Sequence, residues 1–140
     1  PEELKEKIQS LFWAGCCGDD ETKQTIGRVW QEHHYLCDTH TAVAWNVVQQ
    51  YKTANPAHAP VVVLSTASPY KFPAAVLEGL GEKAEGDEFA VMEQLERLTG
   101  IPAPKNLRGL RERPVRHTTV LDREEMLPFV LEKAQEKKWF

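Results

Sequence analysis

Apolar residues recur along most of this chain at helical spacing, and one stretch breaks the rule. Leu4, Ile8, Leu11 and Phe12 fall at i, i+4, i+7 and i+8, which predicts an amphipathic first helix ending near Gly15. Thr22, Ile26, Val29, Trp30 and His33 share one face of a second helix, with Asp19 or Asp20 as its amino-terminal cap. A third helix follows a cap at Asp38 or Thr39 and carries Ala44, Val47, Val48 and Tyr51 as its stripe. Pro73 opens a fourth, through Val76, Leu77 and Leu80 to Gly81. Asp87 caps a fifth, with Val91, Met92, Leu95 and Leu98 facing inward and Gly100 as its stop. The exception is Val61-Val62-Val63-Leu64, four consecutive branched aliphatics with no polar alternation. That pattern predicts a strand covered on both faces, as in a parallel sheet beneath helices.

The connections are equally readable. Tyr35-Leu36-Cys37 is a short strand or an extended connector, and Asn55 to Pro60 is a turn-rich link into the apolar run. Ile101-Pro102-Ala103-Pro104 is too proline-dense for a helix or a central strand. Asn106 to Arg113 holds one helical turn with Leu107 and Leu110 inward, and Val115 to Leu121 reads as a second strand near an edge. Asp122 and Glu125 have capping-box spacing before a last stripe of Met126, Leu127, Val130, Leu131 and Ala134. Pro128 either kinks that helix or delays its regular start to Met126 or Leu127. The expected fold class is therefore α/β: a helix-rich, three-layer piece with a small, mostly parallel sheet. Helices so outnumber strands that residues 1–140 read as a single domain forming the last portion of a larger fold. The start at Pro1, without methionine, fits a piece cut from a longer chain or a processed one.

Composition narrows the function classes. The formal net charge of −4 offers no electrostatic case for nucleic acid, and the basic stretch from Lys105 to Arg116 is broken by Glu112, a glycine and a proline, as on a solvated surface. Three cysteines, two of them adjacent, imply a reducing and so cytoplasmic setting. Cys37 stands apart from the pair, and no CxxC or HxxxH spacing suggests a metal. No run approaches the roughly 20 apolar residues of a membrane span, so no membrane partner is expected.

Candidate chemistry gathers past the carboxyl end of the apolar run, where open α/β sheets bind ligands. Ser65, Thr66 and Ser68 stand there, either satisfying loop and cap hydrogen bonds or meeting a ligand. His40 and Thr41 lie in the first turn of the third helix, behind the cap at Asp38 or Thr39, where free N–H groups and the positive dipole end converge, and they too can be read as a capping turn. The adjacent His33 and His34 point about 100° apart on a helix and cannot ligate together. Nothing resembles GxGxxG, GxxxxGK[ST] or the GxSxG of a serine hydrolase.

The run Leu64-Ser65-Thr66-Ala67-Ser68-Pro69-Tyr70-Lys71-Phe72-Pro73 resembles the late motif of threonine synthase, a pyridoxal-phosphate enzyme of amino-acid biosynthesis. Asp38-Thr39-His40-Thr41-Ala42-Val43-Ala44 is similar to that family's aspartate–proline–histidine–threonine–alanine segment, with Thr39 in place of the proline. The resemblance covers about Leu36 to Leu121. It implies a fold related to tryptophan synthase β, with pyridoxal phosphate between two α/β domains. The implied reaction, a lyase step of threonine biosynthesis, converts O-phosphohomoserine and water to L-threonine and phosphate. In that fold group a serine or threonine hydroxyl faces the cofactor's pyridine nitrogen, and Thr66, with Ser65 second, matches the position. His40, Thr41, Asp38 and Lys71 are then expected to line the active site. Lys71 either carries charge toward a phosphate or opens a surface helix. The family's Schiff-base lysine and phosphate loop belong to an earlier segment and have no counterpart here. The resemblance thus implies the remainder of a threonine synthase chain as partner and an isolated piece without activity. The alternative is a noncatalytic α/β interaction module built on the same fold.

Overall fold

A computed structural model describes residues 2–57 and 59–136. The expected α/β class is not what forms: among the described residues there is no strand and no sheet, only helices and irregular connections. They are α1 (Glu2–Leu11), α2 (Asp19–His33), α3 (Thr39–Ala54), α4 (Pro73–Gly79), α5 (Glu88–Thr99), α6 (Lys105–Arg108) and α7 (Met126–Glu136), with 3₁₀ turns at Pro69–Lys71 and Arg123–Glu125.

The apolar run shows why the sheet fails. Val62 and Leu64 are 82% and 74% exposed, whereas Val63 is half-buried and Ser65 bonds inward. One face of the segment is covered, and among the described residues it forms no backbone ladder with the segment around Tyr35 that meets it at Ser65. A strand is completed by its neighbour, so the run stays irregular. Val115 to Leu121 fails for the same reason, with Val115 and Val120 almost fully exposed.

The helices stand where their local signals put them. Asp38 caps α3 and Asp87 caps α5, each side chain accepting from first-turn backbone N–H groups. Gly100 ends α5 in the left-handed region at φ 71°, which favours glycine. For α2 the cap is Gly18 rather than Asp19 or Asp20. Glu21 reaches back to the Gly18 N–H at 2.9 Å, which leaves both aspartates free to meet the dipole in the first turn. Asp122 and Glu125 pair as their spacing suggests, with the Asp122 N–H donating to the Glu125 carboxylate at 2.9 Å. Pro128 sits in the first turn of α7, where its missing N–H costs nothing, so the helix begins at Met126 without needing a kink.

Packing runs α3 on α2, α2 on α4, α4 on α5. Ile26 and Val29 of α2, Val76 and Leu77 of α4, and Val91 and Leu95 of α5 form the core with Leu36, Cys37, Ala42, Tyr70 and Ala103. The Tyr70 hydroxyl donates to the Ile101 carbonyl, tying the first 3₁₀ turn to the connector after α5. At the α2–α4 crossing the backbones touch: a Cβ built on Gly27 would fall on the Gly79 carbonyl oxygen. Lys23 and Glu78 bridge the same crossing at 2.6 Å.

Two stripes expected to face inward do not. Leu4, Ile8, Leu11 and Phe12 of the first amphipathic segment are exposed, and so are Met126, Leu127, Val130 and Leu131 of α7, where only Ala134 is buried. Leu98, also expected inward, is 46% exposed.

Candidate functional site

Asp38 is the centre of the candidate site. It is 1% exposed and spends both oxygens. Its Oδ1 accepts the His40 backbone N–H at 2.8 Å, the Thr41 N–H at 3.4 Å and the His40 ring at Nδ1, 2.9 Å away. Its Oδ2 accepts the Thr41 hydroxyl at 2.5 Å. Burial pushes the carboxyl upward, but the bonds from Thr41 and His40 together outweigh it and hold the group below the ordinary carboxylate value. The carboxylate is thus an ionised acceptor fixed at the start of α3.

The Thr41 hydroxyl lies 3.2 Å from Ser65 Oγ, and the Tyr35 phenol lies 2.9 Å from the same oxygen. Three hydroxyls from three segments therefore meet beside one carboxylate. They border a cavity of about 140 Å³ walled by Val29, His33, Cys37, Trp45 and Val63. Cys37 contributes bulk rather than a nucleophile, because burial pushes its thiol up to about 11 and keeps it protonated.

Four of the six residues that the resemblance placed in the site come together here: Asp38, His40, Thr41 and Ser65. Thr66 is exposed and makes no hydrogen bond among the described residues. Lys71 is also outside the cluster. Its ammonium lies 5.5 Å from the centre of the Phe72 ring, and the His40 ring stands 5.9 Å from that same ring. Tyr35 was not among the sequence candidates. Its separation of 30 residues from Ser65 left no local signal, although it stands three positions before Asp38. The basic stretch after Lys105 is partly neutralised, with Arg108 on Glu96 at 2.9 Å and Arg111 on Asp87.

Chemically, the site offers hydroxyls and a buried anion at the edge of a shallow apolar cavity. Among the described residues no group of acidic, histidine or cysteine side chains could hold a metal ion, and no helix is long and apolar enough to cross a membrane.

Residues 41–130 match the protein family described as "Threonine synthase, C-terminal". Asp38 and His40 thus lie just before the matched stretch, and Ser65, Thr66 and Lys71 within it. The chain is 38% identical over 77 residues to human "Threonine synthase-like 2", which is 55% of this chain and 16% of that protein. It is 35% identical over 80 residues to "Threonine synthase-like 1" of Mus musculus, covering 57% of this chain and 10% of the relative. To "Threonine synthase" of Methylobacillus glycogenes it is 35% identical over 74 residues, 53% of this chain and 15% of the relative. The match spans about a sixth or less of the length of these relatives.

Proposed function

This chain belongs to the threonine synthase family through its C-terminal domain, and on that premise we propose that it supplies one wall of a pyridoxal-phosphate site in an enzyme converting O-phosphohomoserine and water to L-threonine and phosphate. The observation that carries the reading is the hydroxyl pair Ser65-Thr66. One member is tied through Thr41 to a buried carboxylate, and the other is exposed with no hydrogen bond of its own among the described residues.

Such a pair fits the pyridine side of the cofactor. A hydroxyl can hydrogen-bond a ring nitrogen without bringing a charge to it, and the nearest carboxylate, Asp38, is occupied by Thr41 and His40. When bound, the cofactor supplies the electron-withdrawing capacity that elimination at the γ carbon and water addition at the β carbon require. Thr66 is assigned to the ring nitrogen, Ser65 to holding the turn, and His40 and Lys71 to the exposed rim. The covalently bound lysine and the phosphate loop are assigned to the remainder of a threonine synthase chain, so residues 1–140 alone are inactive. The assigned setting is cytoplasmic, a reading supported by the free thiols of Cys16, Cys17 and Cys37.

The test is a chimera in which this chain replaces the matching stretch of the Methylobacillus glycogenes threonine synthase. Rescue of a threonine auxotroph, together with phosphate release from O-phosphohomoserine, is the expected result. A chimera that folds and binds cofactor yet releases no phosphate would favour a noncatalytic interaction module.

A further inference from the structure

Asp38 holds the His40 imidazole by one edge. Its Oδ1 lies 2.9 Å from His40 Nδ1, and an ionised, buried carboxylate can only accept. The proton of that contact therefore belongs to Nδ1, and the neutral ring keeps its bare nitrogen at Nε2. Nε2 has no partner among the described residues. The His40 side chain is 54% exposed and borders a cavity of about 600 Å³, with the Phe72 ring 5.9 Å away on the wall of the same cavity. The other titratable groups facing it are Cys17, Asp19, Lys23 and Glu78, of which Lys23 and Glu78 bridge each other at 2.6 Å. Among the described residues none of the four bonds to the imidazole.

Resting on the function proposed above, we infer that His40 is a catalytic acid and base, its Nε2 giving a proton to the departing phosphate and taking one back from the incoming water. The Cγ–O bond breaks with its electron pair on oxygen, and the imidazolium proton at Nε2 goes to that oxygen, so the group leaves as hydrogen phosphate. The bare Nε2 then accepts a proton from water as the water oxygen bonds to the β carbon, which regenerates the imidazolium. The hydrogen that moves from Cβ to Cγ between O-phosphohomoserine and threonine cancels within the substrate. The cycle closes with His40 unchanged. An imidazole can serve both steps because it holds and releases a proton near neutrality. Asp38 does not touch the substrate and is a positioning residue: it keeps Nδ1 protonated, so that exchange takes place at Nε2 alone.

Two measurements test this. In the cofactor-free 140-residue chain, nitrogen NMR of the imidazoles, with His40→Gln to assign the signal, reads which ring nitrogen of neutral His40 holds the proton. The expected tautomer carries it on Nδ1, and Asp38→Asn shifts it toward Nε2. A wild-type His40 protonated on Nε2 overturns the inference, whether or not Asp38→Asn folds. In the chimera, His40→Gln is expected to lower kcat for phosphate release by about 100-fold or more, with KM little changed and the pH profile flattened near neutrality. Added imidazole is expected to return part of the rate to His40→Ala, because the ring position opens to the cavity. An active chimera that His40→Gln leaves undiminished overturns the inference alone. So does a loss of rate that neither alters the pH profile nor recovers with imidazole, which is the mark of a structural role. A chimera that is inactive with His40 in place overturns the threonine synthase reading, and this inference with it.

Discussion

Burying a carboxylate at Asp38 costs free energy that its hydrogen bonds offset, and the outcome depends on pH. The carboxyl sits below its ordinary value in the folded chain, so its contribution is full above the unfolded value of about 3.9 and is lost as pH falls through the folded value. Asp38→Asn removes this dependence and leaves the Thr41 hydroxyl poorly satisfied, at a cost of about 1–3 kcal/mol near neutrality. Urea midpoints of the two proteins should keep their gap down to about pH 5 and converge as pH falls below about 4. A constant gap across that range would show that the carboxylate's charge is not what stabilises α3. Asp87 is also held low, by the Ala90 N–H and Arg111, but it is present in both proteins and cancels in the difference. At Thr66 the prediction concerns activity in the chimera. Thr66→Ser keeps the donor and much of the rate, whereas Thr66→Val loses about 1–3 kcal/mol, roughly one to two powers of ten if felt in the transition state. If Ser65→Ala alone abolishes activity and alters the cofactor spectrum, the assignment is off by one residue. Asp38 was legible in the sequence because capping is written within three residues of the helix start. Tyr35 was not, because its bond to Ser65 depends on how distant segments pack.

Between elements, the tightest geometric demand is the crossing of α2 and α4. Gly27→Ala improves helix propensity by about 1 kcal/mol and would do so on an open helix. Here the new methyl meets the Gly79 carbonyl, which belongs to backbone and cannot rotate away. The helices must separate, loosening Ile26 against Val76 and Leu77, so a net destabilisation of about 1–3 kcal/mol is expected. Gly109→Ala is the control: nothing lies within 4 Å of the added carbon. Chemical denaturation of both variants checks the pair, and equal midpoints would mean that the close approach does not exist in solution. Helix positions were legible throughout, since spacing and caps are properties of each segment. The sheet was misread because Val61 to Leu64 records only that the run is apolar, and not whether a neighbour exists to complete a ladder. Val63 turns inward while Val62 and Leu64 face out, an arrangement that four like residues in a row could not signal.

For the whole molecule, the core and the apolar surface lie in different places. The core runs through α2, α3, α4 and α5, while α1 and α7 each present an apolar stripe to solvent. Their amphipathic spacing was legible, but spacing says which face is apolar and is silent on what covers it. Contiguous exposed apolar surface binds hydrophobic dyes and drives association, so the chain should bind dye and scatter light increasingly with concentration. Ile8→Lys and Val130→Lys, at positions 49% and 60% exposed, should reduce both effects while shifting stability by no more than about 0.5 kcal/mol. Variants that instead melt as early as core substitutions would show that these helices pack onto the core in solution. A monodisperse monomer that binds no dye and melts in one cooperative step would make the chain a self-sufficient unit, as a noncatalytic interaction module requires. The opposite result, with association abolished by the two lysines, matches a domain whose terminal helices are built to be covered by the rest of a threonine synthase.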